Sequence, residues 1–384
     1  MSNGVVEWCL LWELLWEKKL TMEEVAVNGT TFVPNMLKRA VEARASDIHI
    51  EPGQEGLCIR FRVDGQLQLY RTLPSGRHAN LLSQLKLMAN LDIGEKRLPQ
   101  DGRMSGEQFE ARVATIPTVN GEKMVVRILQ SQNPFSNVRE LGMQPEQGEE
   151  VGEWIQQPTG LLLVTGPTGS GKTTTVYVLI NELNNVARNI VTLEDPVEIR
   201  LPGVNQVQIN EKTGLTFARG LRAVVRQDPD VIMIGEIRDK ETADMAVRAA
   251  LTGHLVLTSL HTGDAASALT RLLDMGIPPY LLASSVTGIV AQRLVRKLCY
   301  RCRGAGGTCS TCRGSGYYGR VGVFEVLTVD EELQALVTQR PSVNQLRQHI
   351  YRRGLLPLRE RIEALTASPR RALVEGERAV GRDA

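Results

Sequence analysis

The stretch "GLLLVTGPTGSGKTTTVYVLINEL", residues 160–183, combines an apolar run, a glycine-rich turn and a helical pattern. Within it, residues 166–173 match the phosphate-binding pattern G-x-x-x-x-G-K-[ST] at every position. An apolar strand before the turn and a helix after it are the structural context that this pattern requires. The stretch therefore predicts a nucleotide-binding P-loop between a buried strand and a helix.

The residues of this P-loop have different predicted roles. Glycines let backbone N–H groups wrap a phosphate, and the positive N-terminus of the helix adds to the attraction. Lys172 is predicted to reach the β- and γ-phosphates, and the hydroxyl of Thr173 to bind Mg²⁺. The residues predicted to bind ATP in this stretch are Gly166, Pro167, Thr168, Gly169, Ser170, Gly171, Lys172, Thr173 and Thr174.

Carboxylates end two further apolar strands. "NIVTLED" ends in Glu194 and Asp195, and "VIMIGE" ends in Glu236, preceded by Gly235 where many comparable strands carry aspartate. Ligands of a doubly wound sheet lie at the carboxyl ends of its strands, so both acidic sets are expected to face the phosphates. One carboxylate would hold Mg²⁺ through water while another polarises the attacking water. The alternative is that one set only caps the next helix.

Two histidines bracket the strand in "TGHLVLTSLHT", residues 252–262. A sensor of the γ-phosphate needs a hydrogen-bond donor at a strand end, and His261 is placed for that role. His254 is predicted to take part in nucleotide binding as well. For either histidine, a structural role within the fold is the alternative.

Beyond the P-loop, apolar strands alternate with helical segments as far as residue 260. Such strands, joined by helical crossovers, are typical of a parallel sheet covered on both faces. We therefore predict an α/β fold with a doubly wound, mostly parallel sheet. Upstream, "VDG" and "NG" each lie between strand-like segments, which predicts two hairpins in a small α/β domain.

The predicted divisions of the chain follow from these changes of pattern. They are a tryptophan-rich leader (1–33), a small α/β domain (34–130), a linker (131–142), the P-loop domain (143–298), a cysteine knot (299–316), a C-terminal strand with helices (317–367) and a tail (368–384).

The composition is that of a soluble globular chain. The 384 residues carry a net charge of +2, and 42% of them are hydrophobic. No apolar run reaches the length of about 18 residues that a membrane-spanning helix needs. Cysteine is sparse outside one cluster, which argues against a disulfide scaffold and favours a reducing compartment.

The leader "EWCLLWELLWEKKL" places Trp8, Trp12 and Trp16 on one helical stripe. It has no basic start and contains acidic residues, so it does not match a secretory signal. We interpret it as a helix packed on its own domain or on a partner. Insertion into a membrane interface, or a poorly ordered leader, is the alternative.

Four of the six cysteines lie in "CYRCRGAGGTCSTC". Their spacing, C-x2-C-x6-C-x2-C, offers four thiolates to a tetrahedral zinc ion and leaves no open position, as in structural sites. The predicted zinc ligands are Cys299, Cys302, Cys309 and Cys312. A free-thiol or redox pair is one alternative. The other is a chaperone-type zinc module, because both halves match CxxCxGxG, although the chain contains no "HPD".

At this point the motifs resemble those of the type II secretion and type IV pilus assembly ATPases. The resemblance runs from about residue 45 to about residue 359, and many independent motifs occur in the family's order. They are "ASDIHIEP", "RFRVDG", "PQDGR", the P-loop, "NIVTLEDPVE", "TFARGLRAVVRQDPDVIMIGEIRD", "TGHLVLTSLHT", "AQRLVRKLC" and "GRVGVFEVL".

The resemblance implies a RecA-like P-loop NTPase domain and a role for each matching residue. Glu194 looks like the general base, Glu236 like the water-mediated Mg²⁺ ligand, and His261 like the γ-phosphate contact. Arg103 in "PQDGR" and Arg112 in "ARVATIP" match arginines of the N-terminal domain that approach the phosphates. An arginine that reaches the phosphates when the domains close stabilises the charge of the transition state. The alternative is that each arginine is exposed and forms only a salt bridge.

The resemblance also implies a setting for the protein. Members of the family are cytoplasmic hexamers that act at the inner face of the plasma membrane with an inner-membrane platform protein. The implied cofactors are ATP, Mg²⁺ and Zn²⁺, and the implied work is assembly of a type IV pilus, pseudopilus or competence pilus.

This chain departs from the family pattern in two places. Only about 33 residues precede the small α/β domain, as in the shorter competence-pilus and retraction ATPases, so docking through an extra N-terminal domain is in doubt. The loop between the cysteine pairs has six residues, where the family has a few tens. The retraction branch lacks four cysteines, which favours assembly over retraction.

A RecA-like nucleic-acid translocase is the remaining alternative. Such motors display basic loops and aromatic stacking positions, and this chain has a nearly balanced charge and only 4% aromatic residues. No nucleic-acid partner is therefore expected.

Overall fold

The computed structural model describes residues 32–106, 109–129 and 135–366. The chain divides into two compact units between Leu129 and Gln130. The tryptophan stripe of the leader and the C-terminal tail lie outside the described residues. Among the described helices, none has the length and apolar character needed to cross a membrane.

The first unit is a six-stranded antiparallel sheet with two helices. Its strands occur in the order β3-β2-β1-β6-β5-β4. Its elements are α1 (Phe32–Glu42), β1 (Ala45–Pro52), β2 (Gly56–Val63), β3 (Gln66–Pro74), a 3₁₀ turn (Ser75–Arg77), α2 (His78–Met88), β4 (Gln100–Ser105), β5 (Glu110–Thr118) and β6 (Gly121–Leu129).

Alternation of apolar residues builds this first unit. Along β2 every second residue is buried, which places one face of the strand on the core. The predicted "VDG" hairpin joins β2 to β3, and Asp64 and Gly65 have φ values of 49° and 87°. Positive φ at both central residues is the geometry of a tight two-residue hairpin, which explains the Asp-Gly pair.

The second unit carries the P-loop on a seven-stranded sheet. Its elements are α3 (Pro145–Gln156), β7 (Gly160–Thr165), α4 (Lys172–Leu183), β8 (Ile190–Glu194), β9 (Asn205–Gln208), a 3₁₀ turn (Glu211–Thr213), α5 (Phe217–Val224), β10 (Val231–Ile234), α6 (Lys240–Leu251), β11 (Leu255–Leu260), α7 (Ala265–Asp274), α8 (Pro279–Ser285), β12 (Val286–Leu298), β13 (Tyr317–Thr328), α9 (Glu331–Thr338), α10 (Val343–Arg352) and α11 (Leu358–Thr366).

The strand order confirms the predicted doubly wound, mostly parallel sheet. The order is β13-β12-β7-β11-β10-β8-β9, and every neighbouring pair is parallel except β12 with β13. All residues of β7, β8, β10 and β11 are buried, because helices cover both faces. Leu161 and Leu163 join one core cluster, whereas Leu162 and Val164 join the other, so the sheet separates two apolar layers.

Some elements of the second unit were not predicted. Part of the predicted linker is packed, since Val138 and Leu141 are buried in the core of this unit. The sequence pattern did not single out β12, whose 13 residues include polar and basic side chains, nor helices α7 and α8. The four cysteines lie in the connection between β12 and β13.

Candidate nucleotide site and cysteine cluster

The P-loop connects the end of β7 to the first residue of α4, as its sequence context requires. Gly166 has a φ of 154°, and a Cβ there would lie 2.5 Å from Oγ of Ser170 and 2.6 Å from the carbonyl oxygen of Gln292. Gly171, at the N-cap of α4, is left-handed with a φ of 90°. These two positions explain why the loop needs glycine where the backbone passes closest to its neighbours.

Lys172 is buried and points back into the loop. Its Nζ donates to the carbonyl oxygens of Gly166 at 2.8 Å and Pro167 at 3.2 Å, and lies 3.5 Å from Nδ1 of His261. Burial lowers the pKa of the lysine, and the nearby charge of Glu236 partly offsets that shift. The ammonium group therefore lies at the mouth of a loop of backbone amides, where a phosphate anion would neutralise it.

His261 connects this lysine to the acidic residue after β10. Nε2 of His261 lies 3.2 Å from Oε2 of Glu236, and Arg238 donates to Oε1 of the same carboxylate at 2.6 Å. Burial alone would raise the pKa of Glu236, but the contacts with Arg238 and His261 outweigh it and lower the pKa. Arg238 also lies 3.7 Å from Oδ2 of Asp195. The ends of four strands, β7, β8, β10 and β11, thus converge on one charged cluster.

Glu194 lies at the end of β8 in a different environment. It is buried, and both of its carboxylate oxygens accept hydrogen bonds from protein donors. Oε2 accepts from the hydroxyl of Tyr177, while Oε1 accepts from Oγ1 of Thr192 at 2.6 Å and Nε2 of Gln206 at 3.0 Å. Burial and the charge of Glu194 raise the pKa of Tyr177. These three donors leave about one of the four acceptor sites of the carboxylate for a further hydrogen bond, such as one from water.

His254 does not join the charged cluster. It precedes β11, whereas His261 follows it, so the six residues of the strand separate them by about 20 Å. Nδ1 of His254 donates to the carbonyl oxygen of Ala249 at 2.9 Å, and its own carbonyl accepts from the amide of Gly160 at 3.2 Å. The structure therefore places His254 at the opposite end of β11 from His261 and does not bring it together with the other predicted site residues.

Arg103 and Arg112 belong to the first unit. They lie directly opposite each other in the antiparallel register of β4 and β5, so both side chains project from the same face of the sheet. Arg103 is exposed and Arg112 is partly buried. Two positively charged side chains thus share one face of this sheet.

The structure adds residues to the site that the sequence did not single out. Nε2 of Gln292 on β12 donates to the carbonyl oxygen of Ser170 at 2.7 Å and so holds the P-loop from the next strand. The hydroxyls of Thr165 and Thr262 lie 2.6 Å apart and join the end of β7 to the loop after β11. Gln292 lies in the motif "AQRLVRKLC" and Thr262 in the motif "TGHLVLTSLHT", which were the sequence signals for these contacts.

The four cysteines form one cluster in which all sulfur atoms lie within 4.8 Å of one another. Two of the separations between sulfur atoms are 3.9 Å, for Cys299 with Cys309, and 3.6 Å, for Cys302 with Cys312. Four thiolates at a Zn–S distance of about 2.3 Å would place the sulfur atoms about 3.8 Å apart, so the cluster fits a tetrahedral zinc ion.

The backbone around the cluster supports the same fit. The amide of Gly306 donates to Sγ of Cys302 at 3.4 Å, and the amide of Gly316 donates to Sγ of Cys312 at 3.3 Å. Such amide contacts orient thiolates and reduce their negative charge in metal sites.

Comparisons with known proteins agree with this geometry. A family model described as "Type II/IV secretion system protein" matches residues 26–375. Type II secretion system protein HxcR of Pseudomonas aeruginosa is 49% identical over 359 residues, which cover 91% of this chain and 76% of that protein. Type IV pilus assembly ATPase PilB of Thermus thermophilus is 43% identical over 370 residues, which cover 89% of this chain but only 41% of that protein.

A solved structure shares the fold. The crystal structure of the pilus retraction motor PilT with bound ADP aligns with a TM-score of 0.59 at 29% sequence identity. The alignment covers 88% of this chain and 97% of that one.

Proposed function

The chain belongs to the type II/IV secretion system protein family, and we infer that it is an ATPase whose hydrolysis powers assembly of a type IV pilus, pseudopilus or competence pilus. One observation carries the enzymatic part of this inference. The P-loop lysine Lys172, the histidine after β11 and the carboxylate after β10 lie in successive contact at one edge of the sheet. A phosphate-binding loop joined to a histidine and a carboxylate provides groups that can bind the phosphates, contact the γ-phosphate and hold Mg²⁺.

Each residue of this edge has a proposed role. The P-loop amides and Lys172 would bind the phosphates of ATP. Bound ATP would supply the bond to the γ-phosphate that is cleaved. Thr173 and Glu236 hold Mg²⁺, and His261 contacts the γ-phosphate through its ring nitrogen. Glu194 accepts the proton of the attacking water through the acceptor site that Tyr177, Thr192 and Gln206 leave available.

The two arginines of the first unit complete the proposed site. We propose that Arg103 and Arg112 approach the phosphates as a finger-like pair, from the same subunit or from a neighbouring one. Their shared face on β4 and β5 supports this role, since two guanidinium groups side by side favour an anion between them. Motion of the first unit would then complete the charge stabilisation that cleavage requires.

The proposed assembly is a homohexamer in the cytoplasm, peripheral to the inner face of the plasma membrane. There it would transmit the motion of its subunits to an inner-membrane platform protein. The named relatives support this setting, because one is a secretion protein and another a pilus assembly ATPase.

The cysteine cluster has a proposed structural role. We propose that Cys299, Cys302, Cys309 and Cys312 hold one zinc ion that closes the connection between β12 and β13. Elemental analysis of the freshly purified chain is expected to find about one zinc per chain. Absence of zinc from such a preparation would contradict the proposal.

An ATPase assay of the full chain tests the proposed function. Lys172→Ala is expected to lower turnover by about 10²-fold or more, because it removes a charge that stabilises the transferring phosphoryl group. The exposed lysine Lys212 supplies the matched control, and Lys212→Ala is expected to keep the original turnover. Equal activity of the two variants would refute the assigned site.

Addition of DNA to the same assay separates the motor classes. A pilus-assembly ATPase is expected to show the same turnover with and without single- or double-stranded DNA. Strong stimulation by either nucleic acid would favour the translocase alternative.

A further inference from the structure

Glu325 of β13 is a buried carboxylate outside the proposed catalytic cluster. Its relative exposure is 1%, and its Oε1 accepts a hydrogen bond of 3.1 Å from the backbone amide of Ala265. Among the described residues, its Oε2 has no hydrogen-bond partner. Ala265 is the first residue of α7, so the carboxylate contacts the positive N-terminus of that helix.

The start of α7 is continuous with the loop that carries His261. Asp264 caps the helix by accepting from the amide of Ser267 at 2.7 Å. Arg347 of α10 donates to the same aspartate at 2.8 Å. The first turn of α7 is therefore held from β13 by Glu325 and from the C-terminal helices by Arg347.

The other end of this loop is tied to the nucleotide site. Thr262 donates its amide to Oγ1 of Thr165 at 3.0 Å, immediately before the P-loop. Arg293 donates to the carbonyl oxygen of Gly263 at 2.8 Å, and His261 contacts both Lys172 and the carboxylate after β10. The four residues 261–264 thus join the phosphate site to the contacts of Glu325.

Charged and titratable groups from the cap of α7 and from helices α10 and α11 act on Glu325. Burial raises the pKa of Glu325 to about 7, and the charge of Asp264 acts in the same direction. The amides of Ala265 and Leu358, together with Arg361 of α11, oppose the shift. Tyr351 of α10 interacts with Glu325 as well, and Arg347 of the same helix pairs with Asp264. The carboxyl group therefore changes its protonation between about pH 6 and pH 8.

We propose that Glu325 is a positioning residue, which fixes the first turn of α7 and thereby holds His261 against the nucleotide site. The proposal rests on the ATP hydrolysis inferred above. Under the same proposal, two side chains connect the loop of His261 to the C-terminal part of the chain. They are Glu325 of β13 and Arg347 of α10. The charged form of Glu325 binds the positive end of α7 more strongly than the neutral form, because the helix dipole favours an anion there.

Hydrogen exchange tests the positioning role without any activity. In Glu325→Ala, amides of residues 264–268 in the first turn of α7 are expected to exchange faster than in the original protein, while the strands of the seven-stranded sheet stay protected. Glu325→Gln retains a carbonyl acceptor for the amide of Ala265 and is expected to exchange nearly as slowly as the original. The exposed glutamate Glu331 provides the control, Glu331→Gln, which is expected to change nothing.

Kinetics test the effect on catalysis. Glu325→Ala is expected to lower kcat about tenfold with KM for ATP within about twofold, since the ground-state contacts of the P-loop remain. Between pH 6 and pH 8, the ratio of the original kcat to that of Glu325→Gln is expected to rise about two- to fivefold, as the carboxyl group ionises beside the helix dipole.

A double-mutant cycle separates positioning from general stability. If Glu325 acts through His261, the Glu325→Ala and His261→Ala double variant loses no more kcat than His261→Ala alone. Additive losses, or a ratio of original to Glu325→Gln kcat that stays constant across pH 6 to 8, would overturn the proposal. An original protein without ATPase activity would instead refute the proposed function, and the exchange result would still decide the positioning role.

Discussion

The two edges of the seven-stranded sheet differ sharply, although the same buried strands form both. At the carboxyl edge, the strands end in the P-loop, Glu194, Glu236 and His261, and charged side chains contact one another there. At the amino edge, a cavity of about 370 Å³ is lined only by uncharged residues, Thr287 and Gln334 among them.

The difference follows from the direction of the strands. In a parallel sheet with helical crossovers, the carboxyl ends of the strands and the N-termini of the following helices lie at the same edge. The positive helix ends attract phosphate there, whereas the opposite edge presents helix C-termini. The direction of each strand thus decides which polar side chains can act on the nucleotide. Substitutions at the carboxyl edge are therefore expected to change catalysis more than substitutions at the amino edge.

The largest expected effect comes from Glu194 at the carboxyl edge. Glu194→Gln is expected to bind ATP normally but to lower turnover by about 10²- to 10⁴-fold, because a neutral amide cannot accept the proton of water. Nucleotide binding by fluorescence and turnover by phosphate release measure the two parts separately.

Tyr177→Phe is the matched control for that variant. It removes one donor to Glu194 but leaves the carboxylate and its contacts with Thr192 and Gln206. Turnover of this variant is expected to stay within about tenfold of the original. Original turnover in Glu194→Gln would remove Glu194 from the role of base.

A smaller effect is expected from the two histidines at opposite ends of β11. His261→Ala is expected to lower kcat about 10- to 100-fold, because it removes a contact with the γ-phosphate. His254→Ala is expected to keep kcat within about twofold, since its ring donates to the carbonyl oxygen of Ala249 at the opposite end of β11 from Lys172. Steady-state kinetics of both variants checks this, and a comparable loss of kcat in His254→Ala would break the contrast between the edges.

The smallest effect on catalysis is expected from Gly160 at the amino edge. This residue has a φ of 140°, and a Cβ would lie 2.1 Å from Oγ1 of Thr287. Gly160→Ala is therefore expected to lower the free energy of unfolding by about 1–3 kcal/mol while kcat per folded molecule stays the same.

Gly152 of α3 is the matched control, because a Cβ there meets no atom within 4 Å. Gly152→Ala is expected to leave stability unchanged or to raise it by up to about 1 kcal/mol. Urea unfolding of both variants provides the measurement. A lower kcat in Gly160→Ala would show that the amino edge contributes to catalysis.

Much of the site could be predicted because its signals are local in sequence. The P-loop lies within eight consecutive residues, and the carboxylates lie at the ends of strands that are mostly apolar. Tyr177 gave no such signal, since a tyrosine within a helix predicts only core packing. The same holds for β12, where basic residues among the apolar ones obscure the strand pattern.

The sequence by itself determined the phosphate-binding loop, the parallel strands and the four clustered cysteines, because each depends on neighbours within a few residues. Only the tertiary structure decided which histidine meets Lys172, which donors hold Glu194, and that Glu325 contacts Ala265 from 60 residues away. These contacts depend on strand direction, strand order and helix packing. Local patterns do not specify which individual side chains of distant elements meet, since that is fixed only when the core closes around them.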